Sequence, residues 1–278
     1  VTRYCDHVGY ETDLMLIALD GRVLRRDGYW VGRRPRHPDH IWGNLLVLDQ
    51  PPDPADPGAA ARWIARSGEE LGPAARHVAL GWAGDGADTR VTAAFTARGF
   101  DAIDVVALST SAPRPHPRAA TGVTVRPLRS NGDWRACLAL TRQMHDDDRP
   151  DPGFDQWLAR QIRQHRVLTD QGHGAFFGAF VGPRLIGSLG IYVRRGDGLA
   201  RYQLVVTDRR YRRRGVASRL VVEAGQHALA HLGARELVIV AERQRHAAQV
   251  YRDVGFDRAA LQGGVMRQMP RRAWMRTR

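Results

Sequence analysis

The chain has 278 residues, 43% hydrophobic and 26% charged, which is enough for one large or two modest globular domains and too apolar for a disordered chain. No run approaches the roughly eighteen uncharged apolar residues of a membrane span, and the opening VTRYCDHVGYETD lacks the basic-then-apolar order of a secretory signal. Its 42 basic residues are all arginine: residues 1–117 hold 13 against 15 acids, and residues 118–278 hold 29 against 14, so the positive excess sits in the second half and suits a polyanionic ligand, a nucleotide cofactor or a nucleic acid. Cys5 and Cys137 are the only cysteines, too few for a disulfide framework or a Cys-rich metal site, which fits a reducing cytoplasm.

In chain order, IWGNLLVLD (41–49) reads as a strand and the Pro/Asp-rich DQPPDPADPG (49–58) as a loop. A helix over 59–71, a strand over 77–84, a helix over 89–101 and a strand over 103–110 follow. STSAPRPHPRAATG (109–122) has three prolines and reads as an extended linker, dividing the chain into domains 1–115 and 116–278. Beyond it, helical spacing covers 133–144, with Asp133 as N-cap, and 154–165. Strands are expected at 174–181, 184–193 and 201–207. Then come an amphipathic helix over 217–233 closed by Gly233, a buried strand at 236–241, and a last helix over 245–256 stopped by Gly255. The sum is α+β, with strands feeding helices through short loops.

The two halves align. VTAAFTARGFD ends in Gly99-Phe100-Asp101 and HAAQVYRDVGFD in Gly255-Phe256-Asp257. Gly58 precedes one upstream helix and Gly215 the other, at spacings of 41 and 40 residues to the Gly-Phe. The copies differ where chemistry would sit. Four residues before Gly-Phe the second copy has Tyr251 and the first Phe95, a ring with no proton to give. The loop is DRRYRRRGVAS in the second copy and the proline- and acid-rich DQPPDPADPGAA in the first. If one half binds an anion, it is the second.

Arg212-Arg213-Arg214-Gly215-Val216-Ala217 lies between an expected strand and an expected helix, where main-chain amides point outward and the helix dipole favours an anion. Gly215 would let the chain approach a phosphate closely. This Arg-x-x-Gly-x-Ala resembles the pyrophosphate loop of the GCN5-related N-acetyltransferases (GNAT). The order around it agrees over residues 122–266: RYQLVVT, RRRGVA, a helix, ELVIVA, then Ala247-x-x-x-Tyr251 and Gly255-Phe256. TDLMLIALDGRV, YWVGRRP and HIWGNLLVLD resemble a bacterial group of tandem GNAT-like proteins with a degenerate amino-terminal copy.

The resemblance implies two tandem three-layer α/β/α domains around mixed, mostly antiparallel sheets, and acetyl-CoA as cofactor. It places the amides of Arg212 through Ala217, at the start of the Ser218-containing helix, on the cofactor diphosphate. Val205, Val206 and Thr207 would lie beside the thioester, with a strand amide polarising its carbonyl. Gln244 and Ala247 complete the implied cofactor contacts. Tyr251 matches the position that protonates the departing thiolate. Asp208 and Glu242 are the candidate general bases. Val206 stands where related tandem proteins carry an acid, Arg209 replaces a common proline and Gln244 a common asparagine; these departures bear on the base rather than the cofactor. Asp146, Asp147 and Asp148, after His145 and near Asp151 and Asp155, would attract a cationic acceptor.

The expected function is N-acetylation of a primary amine, of a small molecule, by direct attack in a ternary complex. No covalent intermediate, metal, membrane or nucleic-acid partner is expected, and both monomer and homodimer stay open. Two other readings stand beside it. One is acyl transfer from aminoacyl-tRNA, which would fall steeply with salt; the other is a non-catalytic module that senses acyl-CoA.

Overall fold

The structure is a computed structural model and describes residues 2–145 and 153–268. The first half contains α1 (Val8–Ala18), β1 (Arg22–Arg26), β2 (Tyr29–Arg33), β3 (Leu45–Leu48), α2 (Ala59–Leu71), β4 (His77–Ala83), α3 (Thr89–Thr96) and β5 (Asp101–Thr110). The second contains β6 (Thr124–Pro127), α4 (Asn131–His145), α5 (Phe154–Asp170), β7 (Gly174–Val181), β8 (Arg184–Val193), β9 (Leu199–Thr207), α6 (Val216–His231), β10 (Glu236–Glu242), α7 (His246–Asp253) and β11 (Arg258–Gln268). Among the described residues no helix is long and apolar enough to cross a membrane.

These elements form two compact units. The amino-terminal unit takes residues 2–107, 240–244 and the described part of the segment from 259 on; the carboxy-terminal unit takes 108–239 and 245–258. A single cut at 115/116 therefore misplaces β11, which pairs antiparallel with β4 from Gln262↔Ala83 to Gln268↔His77. The sequence hid this strand because Gly263-Gly264 reads as a turn. In the structure both glycines are needed for close packing: an added Cβ on Gly264 would lie 2.4 Å from the Leu80 carbonyl oxygen.

Within the amino-terminal unit β1, β2 and β3 are antiparallel neighbours and β3 runs parallel to β4. The run LLVL is apolar throughout because both faces of the sheet are covered. Leu46 and Leu48 join a core with Val78, Leu80, Trp82 and Phe95. Leu45 and Val47 point the other way, to Tyr10, Leu14 and Ile17 of α1. The period of two thus builds three layers. Two expected elements are shorter: residues 41–43 form a 3-10 turn rather than strand, and α3 ends at Thr96.

The carboxy-terminal unit repeats this plan. β6, β7, β8 and β9 are successive antiparallel neighbours, and β10 lies parallel to β9. α4 and α5 bury Trp134, Leu140, Leu158 and Ile162 against Phe176 and Phe180 of β7. α6 covers the strands β7 to β9, with Leu220, Val221 and Ala224 fully enclosed. Both units reach their Gly-Phe through the same helix end: Phe100 N–H donates to Phe95 O and Phe256 N–H to Tyr251 O, each at 3.1 Å, with Gly99 at φ 76° and Gly255 at φ 96°.

The cap of α4 is Ser130, not Asp133. Ser130 Oγ accepts from the Asp133 amide, and Asp133 Oδ2 accepts in return from the amides of Ser130 and Arg129. Arg126 adds a bidentate pair at 3.0 and 2.8 Å. This pairing holds the Asp133 carboxyl well below the usual carboxylate range. Its contribution is present above the unfolded value near pH 4 and is lost as pH falls through the depressed folded value. Asp133→Ala is expected to cost about 1–3 kcal/mol in denaturant melts at pH 7, with the gap to the parent narrowing on acidification.

Candidate active site

The parallel pair β9–β10 is short. Leu199, Ala200 and Arg201 face Glu236, Leu237 and Val238, and the pairing stops there, so from Tyr202 β9 is paired only with β8. Against β8 the register shifts between Ser188↔Val206 and Gly190↔Gln203. Leu204 and Val205 therefore oppose Leu189 alone, and Leu204 takes the left-handed φ of 51°. Such a bulge leaves main-chain groups out of the ladder and re-aims the strand. The stretch of β9 unpaired on the β10 side from Tyr202 is one edge of a wedge.

At the end of β9 the chain makes a 3-10 turn (Arg209–Tyr211) and enters α6. Arg213 at φ 59° and Gly215 at φ 73° are both left-handed. Left-handed residues within a turn aim successive amides to one side, the main-chain nest that binds anions. Gly215 is the N-cap of α6, and no side chain caps it. The reason for glycine differs from the expectation. What comes close to Gly215 is not a ligand but the chain itself: a Cβ there would stand 2.1 Å from Arg118 O and 2.9 Å from Ala120 N. The nest is thus braced by the segment 118–120.

The corresponding parts of the amino-terminal unit are closed. β3 stays paired with β4 through Leu48, its last residue. Gly58, which precedes α2, has the ordinary φ of −88°. Its amide already donates to Asp56 Oδ1 at 2.8 Å, and Asp56 also pairs with Arg62. A carboxylate of the chain occupies the donor that a phosphate would need. Phe95 is 1% exposed.

Residues 134–256 match the model of the acetyltransferase (GNAT) family. This stretch, a little under half of the chain, is similar to the GNAT acetyltransferase family. No curated protein matches it in sequence. Among solved structures it resembles a functionally unknown conserved protein from Staphylococcus epidermidis, at TM-score 0.70 and 13% identity over 91% of this chain and 96% of that one. A GCN5-related N-acetyltransferase from Kribbella flavida matches at TM-score 0.61 and 14% identity, over 97% and 98%. A tandem GNAT protein from the clavulanic acid biosynthesis pathway matches at TM-score 0.53 and 15% identity, over 81% and 75%. These likenesses are of fold, and the last supports a two-domain GNAT arrangement.

Within the matched region, Tyr251 of α7 is 6% exposed, its ring 6.4 Å from that of Phe256, which also meets Tyr202 at 5.8 Å. Burial pushes the Tyr251 phenol up to about 12. Ala247 is half-buried one turn earlier. Val205 and Thr207 are half-buried on β9, but Val206 is 8% exposed and belongs to the core under α4 and α5. The bulge residue Leu204 is half-buried and packs against the same core; its left-handed backbone marks the bulge, and nothing in the apolar run LVV signals it.

The loop arginines divide. Arg213 and Arg214 are exposed, whereas Arg212 turns back, donating from Nε to Thr207 O at 3.4 Å and from its terminal nitrogen to Met144 Sδ at 3.5 Å. Val216 and Ser218 are buried in the first turn of α6 and Ala217 is half-buried, which leaves their amides rather than side chains to meet a ligand.

Asp208 has a structural task. Its side chain is 2% exposed, caps the 3-10 turn through the Arg210 amide at 3.0 Å, and pairs with Arg210 at 2.9 Å and Arg184 at 3.3 Å. Its carboxylate is thus committed to donors of the protein itself. Glu242 ends β10 and Gln244 follows; both are exposed and belong to the amino-terminal unit. Asp146, Asp147, Asp148 and Asp151 lie outside the described residues. Asp155 is paired with Arg142 at 2.5 Å. Cys137 is fully buried, its thiol raised to about 11, and Cys5 is raised to about 12, so neither is a ready thiolate nucleophile.

Proposed function

We propose that the chain is an acetyl-CoA-dependent N-acetyltransferase acting on a primary amine of a small molecule, with one cofactor site, in the carboxy-terminal unit. The observation that carries this reading is the wedge beyond Arg201 and Val238 ending at an uncapped, nest-forming helix start. The bound thioester supplies an activated acyl group. The amides of Arg213 through Ala217 hold its diphosphate, and the bulge at Leu204–Val205 offers a main-chain donor to the acyl carbonyl. The amine nitrogen bonds to the carbonyl carbon as the C–S bond breaks. Tyr251 gives its proton to the leaving sulfur, and the amine's proton leaves through water, since Asp208 is engaged elsewhere. The amino-terminal unit is read as a degenerate copy, because its strands stay zipped and its loop amide is filled by Asp56.

A phenol near 12 keeps its proton across the working range. As a general acid it acts below its pKa and is lost above it. The acetylation rate is therefore expected to show no alkaline fall from Tyr251 up to about pH 10; a fall centred near 9 that Tyr251→Phe removes would contradict this. The test of the activity is mass-spectrometric detection of acetylated product across a panel of primary amines with acetyl-CoA. Tight cofactor binding with no product from any amine would favour a sensing module instead.

A further inference from the structure

Residues 208–214 hold five arginines and one carboxylate, more positive charge than a diphosphate on main-chain amides requires. Two guanidinium groups share one ring. Arg214 lies 5.6 Å from the Tyr211 centroid, and Arg184, from the first position of β8, lies 5.9 Å from the same ring. Cation–π contacts of this kind fix a flexible side chain without neutralising it. Arg184 is partly offset by Asp208, which it shares with Arg210. Among the described residues no carboxylate pairs with Arg214, so the stack carries net positive charge beside the nest.

We infer that Arg184, Tyr211 and Arg214 form a phosphomonoester subsite that reads the 3′-phosphate of coenzyme A, so that the chain selects CoA over dephospho-CoA. This rests on the acyl-CoA reading above. A phosphomonoester carries nearly two charges at neutral pH and suits two guanidinium groups held on one side of a loop. The ribose that bears it is the next group along the ligand from the diphosphate, and Arg214 is one residue from Gly215 at the nest. The aromatic ring sets the spacing of the two cations before the ligand arrives, which lowers the ordering cost of binding.

Calorimetric titration of the full chain with CoA and with dephospho-CoA tests this. The parent is expected to bind CoA about 30-fold more tightly, and Arg214→Gln to cut that ratio to about threefold, with Arg184→Gln acting in the same direction. Dephospho-CoA serves as the fold control in each variant, and thermal melts confirm that each is folded. Equal affinities in the parent, or an unchanged ratio in Arg214→Gln, overturn the subsite while leaving acyl-CoA binding intact. Failure of the parent to bind either ligand overturns the acyl-CoA reading itself.

Discussion

Gly215→Ala lowers stability by roughly 2–4 kcal/mol and CoA affinity at least about tenfold, whereas Gly58→Ala changes both little. The two glycines occupy matching places before α6 and α2, yet only one is constrained. Gly215 has φ 73°, and its added methyl would meet Arg118 O at 2.1 Å and Ala120 N at 2.9 Å, backbone atoms that cannot swing aside. The chain must shift, and the nest amides shift with it. Gly58 has φ −88°, and the nearest atom to its added Cβ is the end of the flexible Arg62 side chain at 2.7 Å. Thermal melts and CoA titrations of the two variants check the contrast. A Gly215→Ala protein that melts and binds like the parent contradicts the bracing of the loop by residues 118–120.

Tyr251→Phe lowers kcat about 100-fold or more with KM for acetyl-CoA and melting temperature nearly unchanged. The ring is buried beside Phe256 and the loss is confined to one hydroxyl. Phe95 shows that phenylalanine packs in the same helix position, 5.8 Å from Phe100 and 1% exposed. Steady-state kinetics on the purified variant decide the matter. An unchanged kcat would remove Tyr251 from the reaction; a raised KM with kcat intact would make it a binding residue.

What the sequence made legible follows from what each signal encodes. The strands 174–181 and 184–193 have the expected bounds because Gly182 sits in a tight turn flanked by apolar runs. The α2 bounds agree for a similar reason, with Gly58 and Gly72 as punctuation. The Asp27-Gly28 hairpin between β1 and β2 was readable but hidden among the arginines of RVLRRDGYW. β11 was not readable, since its place beside β4 is a matter of long-range pairing that local periodicity does not carry.

At the site, the phosphate loop was visible as residue types, but the roles of its side chains were not. Arg212 bends back to Thr207 and Met144, and Asp208 is consumed by Arg184 and Arg210. Each outcome joins a local partner to a distant one, as the Asp208–Arg184 and Arg212–Met144 separations of 24 and 68 show, and the distant one is what the sequence does not carry. The same limit explains Val206 and Leu204. A bulge lets both of them pack against the core under α4 and α5, and LVV reads the same with or without it.

Hydrogen–deuterium exchange of the full chain with and without CoA is the most direct probe of whether main-chain donors at the start of α6 hold the ligand. Slowed exchange at the amides of residues 213–217 and along 202–207, with none at 53–60, is the predicted pattern. Protection at 53–60, or none at 213–217 when CoA is bound, would contradict it.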